Sequence, residues 1–249
     1  MGKRRCQIFL LLLFLFCLFP GKTYAKVRYA KEYSDLSKQE RALVTQVMNG
    51  VKSGKNNVRI PVKFKMTQTK HNEILMAVKY SYFQYVGDIN DYLSYSRGEN
   101  NTVSTIVVKS NRIQNLYNRN RELDKKAKKW TKACIKKKMS AAKKRDAISK
   151  YIAKKTKYSN YGTEAENILS RKKGCCQAYA SLYKEMCRIA GIKCRMCIGT
   201  DHIWNAVKIK GKWQYVDVTF YDATKISKYL HFRKLSKDYK FEKHQTLFY

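Results

Sequence analysis

The chain alternates between the hydrophobic period of helices and that of strands. Ser37 and Glu40 form a capping-box sequence, and the apolar residues that follow recur every three to four positions until Gly54. This pattern predicts a first amphipathic helix, capped at its start by Ser37. The same spacing over residues 67–85 predicts a second helix, which Gly87 ends.

Three other stretches alternate between apolar and polar residues, which is the period of a strand with one buried face. Strands are therefore predicted over residues 58–64, 91–96 and 103–109. Pro61 cannot donate a ladder hydrogen bond, so the first strand is expected at a sheet edge. Together these elements predict a small N-terminal α/β module over residues 26–110, in which His71 is an ordinary helix residue rather than a ligand.

Two basic helices are predicted next, over residues 113–138 and, capped by Ser140, over residues 141–155. Residues 112–157 hold 18 Lys and Arg against three acids, a net charge of +15. Such a surface attracts polyanions. The bias to Lys, a point charge, over Arg, whose forked guanidinium reads bases, argues against nucleic acid as the partner. A solvated helix face without a partner is the alternative interpretation.

The first 25 residues have the composition of a cleaved secretory signal. Lys3, Arg4 and Arg5 precede a short apolar run, residues 8–19, and the stretch ends in small residues at Ala25. The run is shorter than the roughly 20 residues of a membrane span; an uncleaved anchor is the alternative. The protein is thus expected to be secreted or at the cell surface, where anionic cell-wall polymers and lipid headgroups are the nearest polyanions.

This signal holds four of the 53 basic residues and none of the 18 acids, so the remaining chain has a formal charge of +31. It also leaves six of the eight cysteines: Cys134, Cys175, Cys176, Cys187, Cys194 and Cys197. Export permits disulfides, but one free nucleophile would leave an odd number and so a second unpaired thiol. Cys194 and Cys197 have the Cys-x-x-Cys spacing that supplies two of the four ligands of a zinc site. Residues three apart on a strand, however, face opposite sides. Neither a metal nor a cofactor is predicted.

Gly174, Cys175 and Cys176 open a run of apolar residues at helical spacing, which Gly191 ends as a left-handed cap. Cys176 thus falls in the first turn of a helix that reaches about Ala190. Unpaired N–H groups and the helix dipole there favour a thiolate, the nucleophilic form of cysteine. The helical wheel places both cysteines in the apolar arc and does not choose between them. Both could equally be small buried apolar residues.

Two alternating runs joined at residues 210–211 predict a β-hairpin with a two-residue turn. In that register Trp204 faces Asp217 and His202 faces Thr219. His202 and Asp217 are then diagonal neighbours on one face of the sheet, within side-chain reach. A slip of one residue would put them on opposite faces. The spacing therefore predicts a His–Asp pair, with a structural histidine hydrogen-bonded in the sheet as the alternative.

Three motifs together resemble the core of the transglutaminase-like superfamily: Gly174-x-Cys176-x-x-Tyr179-Ala180, His202-x-Trp204-Asn205, and Val216-Asp217-Val218-Thr219-x-x-Asp222. The upstream run Met139-Ser140…Lys144…Ile148…Tyr151-Ile152…Tyr158 also resembles the helix before that core in bacterial extracellular members. The resemblance covers residues 139–222 well and is weak before residue 111.

This resemblance implies an α+β fold, papain-like and transglutaminase-like, in which the catalytic helix packs on an antiparallel sheet. It assigns Cys176 as nucleophile, His202 as base and Asp217 as the residue that orients the base, while Thr219 and Asp222 are structural. The domain is expected over residues 111–249, with the basic helices as its lead-in. No oxyanion partner is identified beyond the N–H of Cys176 itself.

The resemblance implies an exported thiol enzyme that attacks amide carbonyls of a protein or peptide and forms a thioester. Water would then complete a peptidase or amidase reaction, whereas a lysine amine would complete a transglutaminase cross-link. The sequence leaves both outcomes open. Cell-envelope molecules are the expected substrates. The alternative is a non-catalytic cell-surface binding protein on the same fold.

Overall fold

The computed structural model describes residues 36–82, 93–109, 113–199, 201–234 and 246–248. The predicted signal, the end of the second predicted helix and the start of the second predicted strand lie outside the described residues. So does the predicted boundary at 110–111, which stays a prediction. Within these described ranges, none of the helices combines the length and the apolar character that a membrane span requires.

The described residues of the N-terminal part form a three-stranded antiparallel sheet with two helices. Its elements are α1 (Lys38–Lys52), β1 (Val58–Pro61), α2 (Gln68–Tyr82), β2 (Leu93–Arg97) and β3 (Val103–Val108). The strand order is β1-β3-β2, so Pro61 lies in an edge strand, as predicted. The predicted capping box is also confirmed, because Ser37 accepts from the Glu40 N–H and Glu40 accepts from the Ser37 N–H.

In the residues that the structure describes, the C-terminal part contains four α-helices: α3 (Ile113–Cys134), α4 (Ala141–Lys155), α5 (Cys176–Ile189) and α6 (Val218–Thr224). Ser140 caps α4 as predicted and accepts a hydrogen bond from the Lys143 N–H. Helix α3 ends four residues before the predicted position, and the connection to α4 is exposed at residues 136–138. The two basic helices contact each other and are joined by a lysine-rich connection.

Helix α5 lies against a second antiparallel sheet and is buried on all sides. That sheet has the order β8-β7-β6-β9, with β6 (Cys194–Ile198), β7 (Ile203–Ile209), β8 (Lys212–Val216) and β9 (Thr246–Phe248). Every residue of α5 from 178 to 187 is buried. Tyr179, Leu182 and Met186 share a core with Val207 and Val216 of the sheet, while Ala180 belongs to the N-terminal core. The predicted α+β fold is confirmed.

The β7–β8 hairpin has the predicted two-residue turn, with Ile209 paired to Lys212. Lys210 and Gly211 both have positive φ angles, 48° and 79°, as this kind of turn requires. The ladder ends at the pair Asn205–Val216. The predicted pairs His202–Thr219 and Trp204–Asp217 are therefore wrong. The reason is that the chain leaves the sheet after Val216 and starts α6.

A short parallel pair of strands places the start of α5. Strand β4 (Lys157–Tyr158) follows α4, and β5 (Lys173–Gly174) directly precedes the two cysteines. Between them lies a π-helical turn, Asn167–Arg171. The Cys175 N–H donates to the Gly162 carbonyl at 3.0 Å. The loop after β4 therefore holds the residue at which α5 begins.

Candidate functional site

Cys175 and Cys176 stand at the N-terminus of α5, as predicted. Cys175 is the N-cap residue with an extended backbone, and Cys176 is the first helical residue. The backbone at residue 174 lies so close to the first turn of α5 that only glycine fits, because a Cβ there would lie 2.7 Å from the Ala178 Cβ. Gly191, with φ 73°, follows the other end of the helix. The backbone geometry at both ends of this helix thus favours glycine.

The two neighbouring thiols shift each other's pKa in opposite directions. The pKa of Cys175 is lowered to about 6 by the adjacent Cys176 thiol and by the N–H groups of Gln177 and Ala178, against the opposing effect of burial. These N–H groups belong to the first turn of α5, where backbone donors have no partner within the helix and favour a negative charge. The pKa of Cys176 is raised, first by Cys175 and then by burial. Cys175 therefore ionises before Cys176, and its thiolate is stabilised at the start of α5.

Cys176 is the thiol that faces the sheet. Cys175 and burial are the main causes of its raised pKa; the carboxylate of Asp217 raises it further, and the backbone of Ile203, at the start of β7, lowers it. Tyr158 of β4 lies on the same side: burial, then Cys176, then Cys175 raise its pKa to about 12. The helix start thus brings Cys176 to the edge of the sheet at which β7 begins.

His202 and Asp217 form a close pair at that edge. The His202 Nε2 lies 2.6 Å from the Asp217 Oδ2, and the carboxylate is fully buried. The other carboxylate oxygen accepts the Phe220 N–H at 2.9 Å and caps α6. Asp217 also donates its own N–H to the Tyr229 carbonyl. The predicted proximity of the two side chains is found, although the strand pairing predicted to cause it is not.

Two aromatic rings hold the imidazole of His202 in place. Trp204 stacks nearly parallel to it, with ring centroids 5.8 Å apart and an angle of 16°. Phe220 contacts it from α6 at 4.8 Å. Trp204 is itself buried against Gly199, where a Cβ would come within 3.0 Å of the indole. The sequence singled out Trp204 but not Phe220, whose only signal was its position three residues after Asp217.

Asn205 connects α5 to the sheet. Its side-chain amide donates to the Ala180 carbonyl at 3.0 Å and to the Arg195 carbonyl at 3.2 Å. It is buried, with 1% of its surface exposed. The sequence recognised Asn205 only as part of a motif, and the structure shows that it bridges the helix and the neighbouring strand.

A second connection joins α5 to α4 and α6. The Tyr179 hydroxyl donates to the Asp222 carboxylate at 2.7 Å and accepts from the Thr156 hydroxyl at 2.9 Å. Asp222 also pairs with Lys225 of its own helix end. Thr219 is buried in α6. The motif residues predicted to be structural thus lie in packing contacts around the cysteine helix.

The other cysteines do not converge on the site. Cys194 packs against the core that surrounds α5, whereas Cys197 packs with Trp204 on the other side of the sheet. The prediction that these two residues face opposite sides is confirmed. In the part of the chain that the structure describes, no three His, Cys, Asp or Glu side chains are grouped as ligands for a metal ion.

Comparison with known proteins finds a family similarity over part of the chain, which includes much of this site. Residues 128–218 match the family model of the Transglutaminase-like superfamily. Kyphoscoliosis peptidase from Mus musculus is 32% identical over 98 residues, covering 33% of this chain and 15% of that protein. Kyphoscoliosis peptidase from Homo sapiens is 36% identical over 70 residues, covering 22% of this chain and 11% of that protein. The chain therefore matches a small part of the length of these relatives.

Two solved structures are similar to parts of this chain. A TGase is 14% identical with a TM-score of 0.37, covering 86% of this chain and 59% of that chain. A proposed cysteine protease from Cytophaga hutchinsonii is 24% identical with a TM-score of 0.32, covering 40% of this chain and 37% of that chain. The first two motifs, at residues 174–180 and 202–205, lie inside the family match, and the third begins inside it.

Proposed function

We propose that this protein, which carries a transglutaminase-like core, is a thiol enzyme that transfers acyl groups from amide bonds. The observation that carries the proposal is the 2.6 Å contact between His202 and the buried Asp217, beside the helix start that holds Cys176. A cysteine, a histidine and a carboxylate in these positions have the roles of nucleophile, base and orienting group.

Proton transfer from Cys176 to His202 is the first step. Since Nε2 faces Asp217, that nitrogen carries the proton of the neutral ring and donates it to the carboxylate in a hydrogen bond. The other nitrogen, Nδ1, takes the thiol proton. Asp217 then stabilises the imidazolium, because its negative charge is buried and close. The thiolate that remains on Cys176 is the nucleophile.

The thiolate attacks the carbonyl carbon of an amide and forms a tetrahedral oxyanion. N–H groups of the first turn of α5, including that of Cys176, are the donors we assign to this oxyanion. Collapse of the intermediate breaks the C–N bond, and the imidazolium returns its proton to the leaving amine. A thioester on Cys176 results. Water completes hydrolysis, and a lysine amine completes a cross-link.

Hydrolysis is supported by the peptidase names of the two curated relatives. We further propose that the protein is exported by the signal at residues 1–25 and acts on protein or peptide substrates of the cell envelope. The support for this is the sequence of the signal and the charge of +15 over residues 112–157, which favours retention on anionic cell-wall polymers or a lipid surface.

A non-catalytic surface-binding protein is the second candidate function. The raised pKa of Cys176 favours it, because a thiol that stays protonated does not attack an amide. The two candidates differ in whether His202 activates this thiol.

Mass spectrometry after incubation with a glutamine-containing peptide and a primary amine tests the proposal. An enzyme yields a cross-linked product, a hydrolysed product or a thioester on Cys176, and Cys176→Ala abolishes all three. Cys175→Ala is the matched control and should keep product formation. The proposal fails if the wild-type protein and Cys176→Ala give the same unmodified peptide under conditions in which both are folded.

A further inference from the structure

Two lysine–aromatic pairs meet where α3 packs against α4. Lys126 and Trp130 are four residues apart on α3, and Tyr151 and Lys155 are four residues apart on α4, so each pair shares one helix face. The Trp130 and Tyr151 rings contact edge to face, with centroids 5.5 Å apart. The Lys155 Nζ lies 5.8 Å from the Tyr151 centroid. The ring contact therefore brings the two lysines to one side of the helix pair.

Lys172 adds a third positive charge from a different element. It follows the π-helical turn in a left-handed conformation, φ 60°, and its Nζ lies 4.3 Å from the Trp130 centroid. The same Nζ donates to the Leu169 carbonyl at 2.8 Å, which fixes its position. Burial, and then the charges of Lys126 and Lys155, lower the pKa of Lys172. We call Lys126, Lys155 and Lys172 the lysine cluster.

The lysine cluster has no acidic counterpart within the described ranges. The neighbouring acids pair with other cations: Glu122 with Lys125, Asp124 with Lys128 and Arg188, and Glu166 with Arg119. Among the residues that the structure describes, no carboxylate lies within ion-pair distance of the three cluster ammonium groups. Like charges held together in this way repel one another, and a bound anion relieves the repulsion.

The cluster lies close to the cysteines along the chain. Lys172 is four residues before Cys176, and an extended segment of that length spans at most about 14 Å. Strand β5, directly after Lys172, pairs with β4. Tyr158 of β4 lies close enough to both thiols for their charge to raise its pKa. A substrate peptide therefore has to span only this backbone distance plus the lengths of the side chains to reach from Lys172 to the sulfur of Cys176.

We propose that the lysine cluster binds acidic side chains of a peptide substrate next to the amide that Cys176 attacks. This rests on the proposed function and names its substrate class. Carboxylates fit because three separate ammonium groups, each a point charge, match separate acidic side chains. Lys172 covers one face of the Trp130 ring and Tyr151 meets the same ring, so the cluster has little open aromatic surface for stacking nucleic-acid bases.

A lipid bilayer fits the cluster less well than a peptide. The large apolar side chains that are exposed in the described residues lie outside it: Tyr95, Tyr158, Tyr161 and Ile226. The helix faces around the cluster thus have charge but no apolar side chain of this kind to insert among acyl chains.

Binding of a labelled peptide to Cys176→Ala protein separates this proposal from catalysis, because no turnover is needed. The probe is a fluorescent peptide with one glutamine flanked by glutamates, compared with its all-glutamine analogue. The triple variant K126Q/K155Q/K172Q should lose about tenfold in affinity for the acidic peptide, since three exposed charge pairs are lost. The charge-matched control K136Q/K137Q/K138Q, in the α3–α4 connection, should lose less than about threefold.

Equal losses in both triple variants would show that only net charge matters and would overturn the proposal. Polyphosphate or anionic vesicles that bind through the cluster while the acidic peptide does not would overturn it as well. Circular dichroism checks that each variant is folded. If Lys172→Gln destabilises the left-handed turn, the double variant K126Q/K155Q gives the same comparison against K136Q/K137Q.

A second experiment tests whether the bound peptide lies next to the Cys176 thiol. The acidic peptide should slow iodoacetamide labelling of Cys176 in the otherwise unchanged protein, and K126Q/K155Q/K172Q should abolish that protection. Protection that survives in the triple variant would contradict the proposal. Peptide binding and protection without any acyl product would leave the cluster assignment standing and remove the proposed enzymatic function instead.

Discussion

The Nε2 of His202 lies 2.6 Å from the Oδ2 of Asp217, although neither residue belongs to the strands that bring them together. His202 precedes β7 by one residue, and Asp217 follows β8 by one residue. Asp217 is at the same time the N-cap of α6. One carboxylate therefore both starts a helix and holds the imidazole.

Replacement of Asp217 by Asn separates these two roles. Asparagine is as good a helix cap as aspartate, so we expect a folded protein with little change in unfolding midpoint. The imidazolium loses its stabilising charge, and turnover should fall by about 10²- to 10⁴-fold. Asp222→Asn is the control, since Asp222 contacts Tyr179 and not His202. Activity that survives in Asp217→Asn would show that His202 does not depend on this carboxylate.

Removal of Cys175 should make Cys176 easier to ionise. Cys175 is the first cause of the raised pKa of Cys176, so in Cys175→Ala the labelling of Cys176 by iodoacetamide should shift to lower pH. In the wild-type protein, Cys175 should label with a midpoint near its pKa of about 6, because a lowered pKa keeps the thiolate present above that pH. Labelling followed by peptide mass spectrometry measures each site. An unchanged Cys176 profile in Cys175→Ala would contradict the assigned coupling.

Gly174→Ala should displace the start of α5. A Cβ at residue 174 would lie 2.7 Å from the Ala178 Cβ and 3.1 Å from the Ile168 side chain. We expect a loss of about 1–3 kcal/mol in the free energy of unfolding and slower thiol labelling. Denaturant unfolding measures the first effect. The double variant Gly174→Ala with Ala178→Gly should recover part of the stability, and no recovery would mean that the close contact is not the cause.

Salt should weaken retention on isolated cell envelopes if the basic helices hold the protein there. Binding driven by counterion release falls steeply with ionic strength. Lys136, Lys137 and Lys138 are exposed, so neutralising all three should reduce retention without changing thiol labelling. A sedimentation assay at increasing salt measures this. Retention that does not change with salt concentration would indicate an uncleaved signal anchor or an apolar patch instead.

Local sequence signals predicted the elements that depend on neighbouring residues only. Ser37 and Ser140 cap the helices that they were predicted to cap, and residues 210–211 form the predicted turn. The start of α5 at Cys176 followed from helical spacing in the same way. These features were predictable because a cap or a tight turn is decided within four or five residues.

The end of β8 was not predictable from the same pattern. Val216, Val218 and Thr219 are β-branched and continue the alternation of a strand, yet α6 begins at Val218. The outcome depends on the Asp217 carboxylate, which caps the helix, and on its N–H, which bonds to Tyr229 far from the hairpin turn. A contact with a distant residue overrides the local preference here.

The sequence by itself determined the order of the candidate site residues, the helix that begins at Cys176 and the turn that fixes the hairpin register, because each depends on short-range backbone geometry. Only the tertiary structure decided which thiol faces the sheet, that Phe220 packs on His202, and that Lys126, Lys155 and Lys172 meet around Trp130. Those relationships join residues from separate helices and strands. They arise from the packing of one element on another, which no periodicity along the chain records.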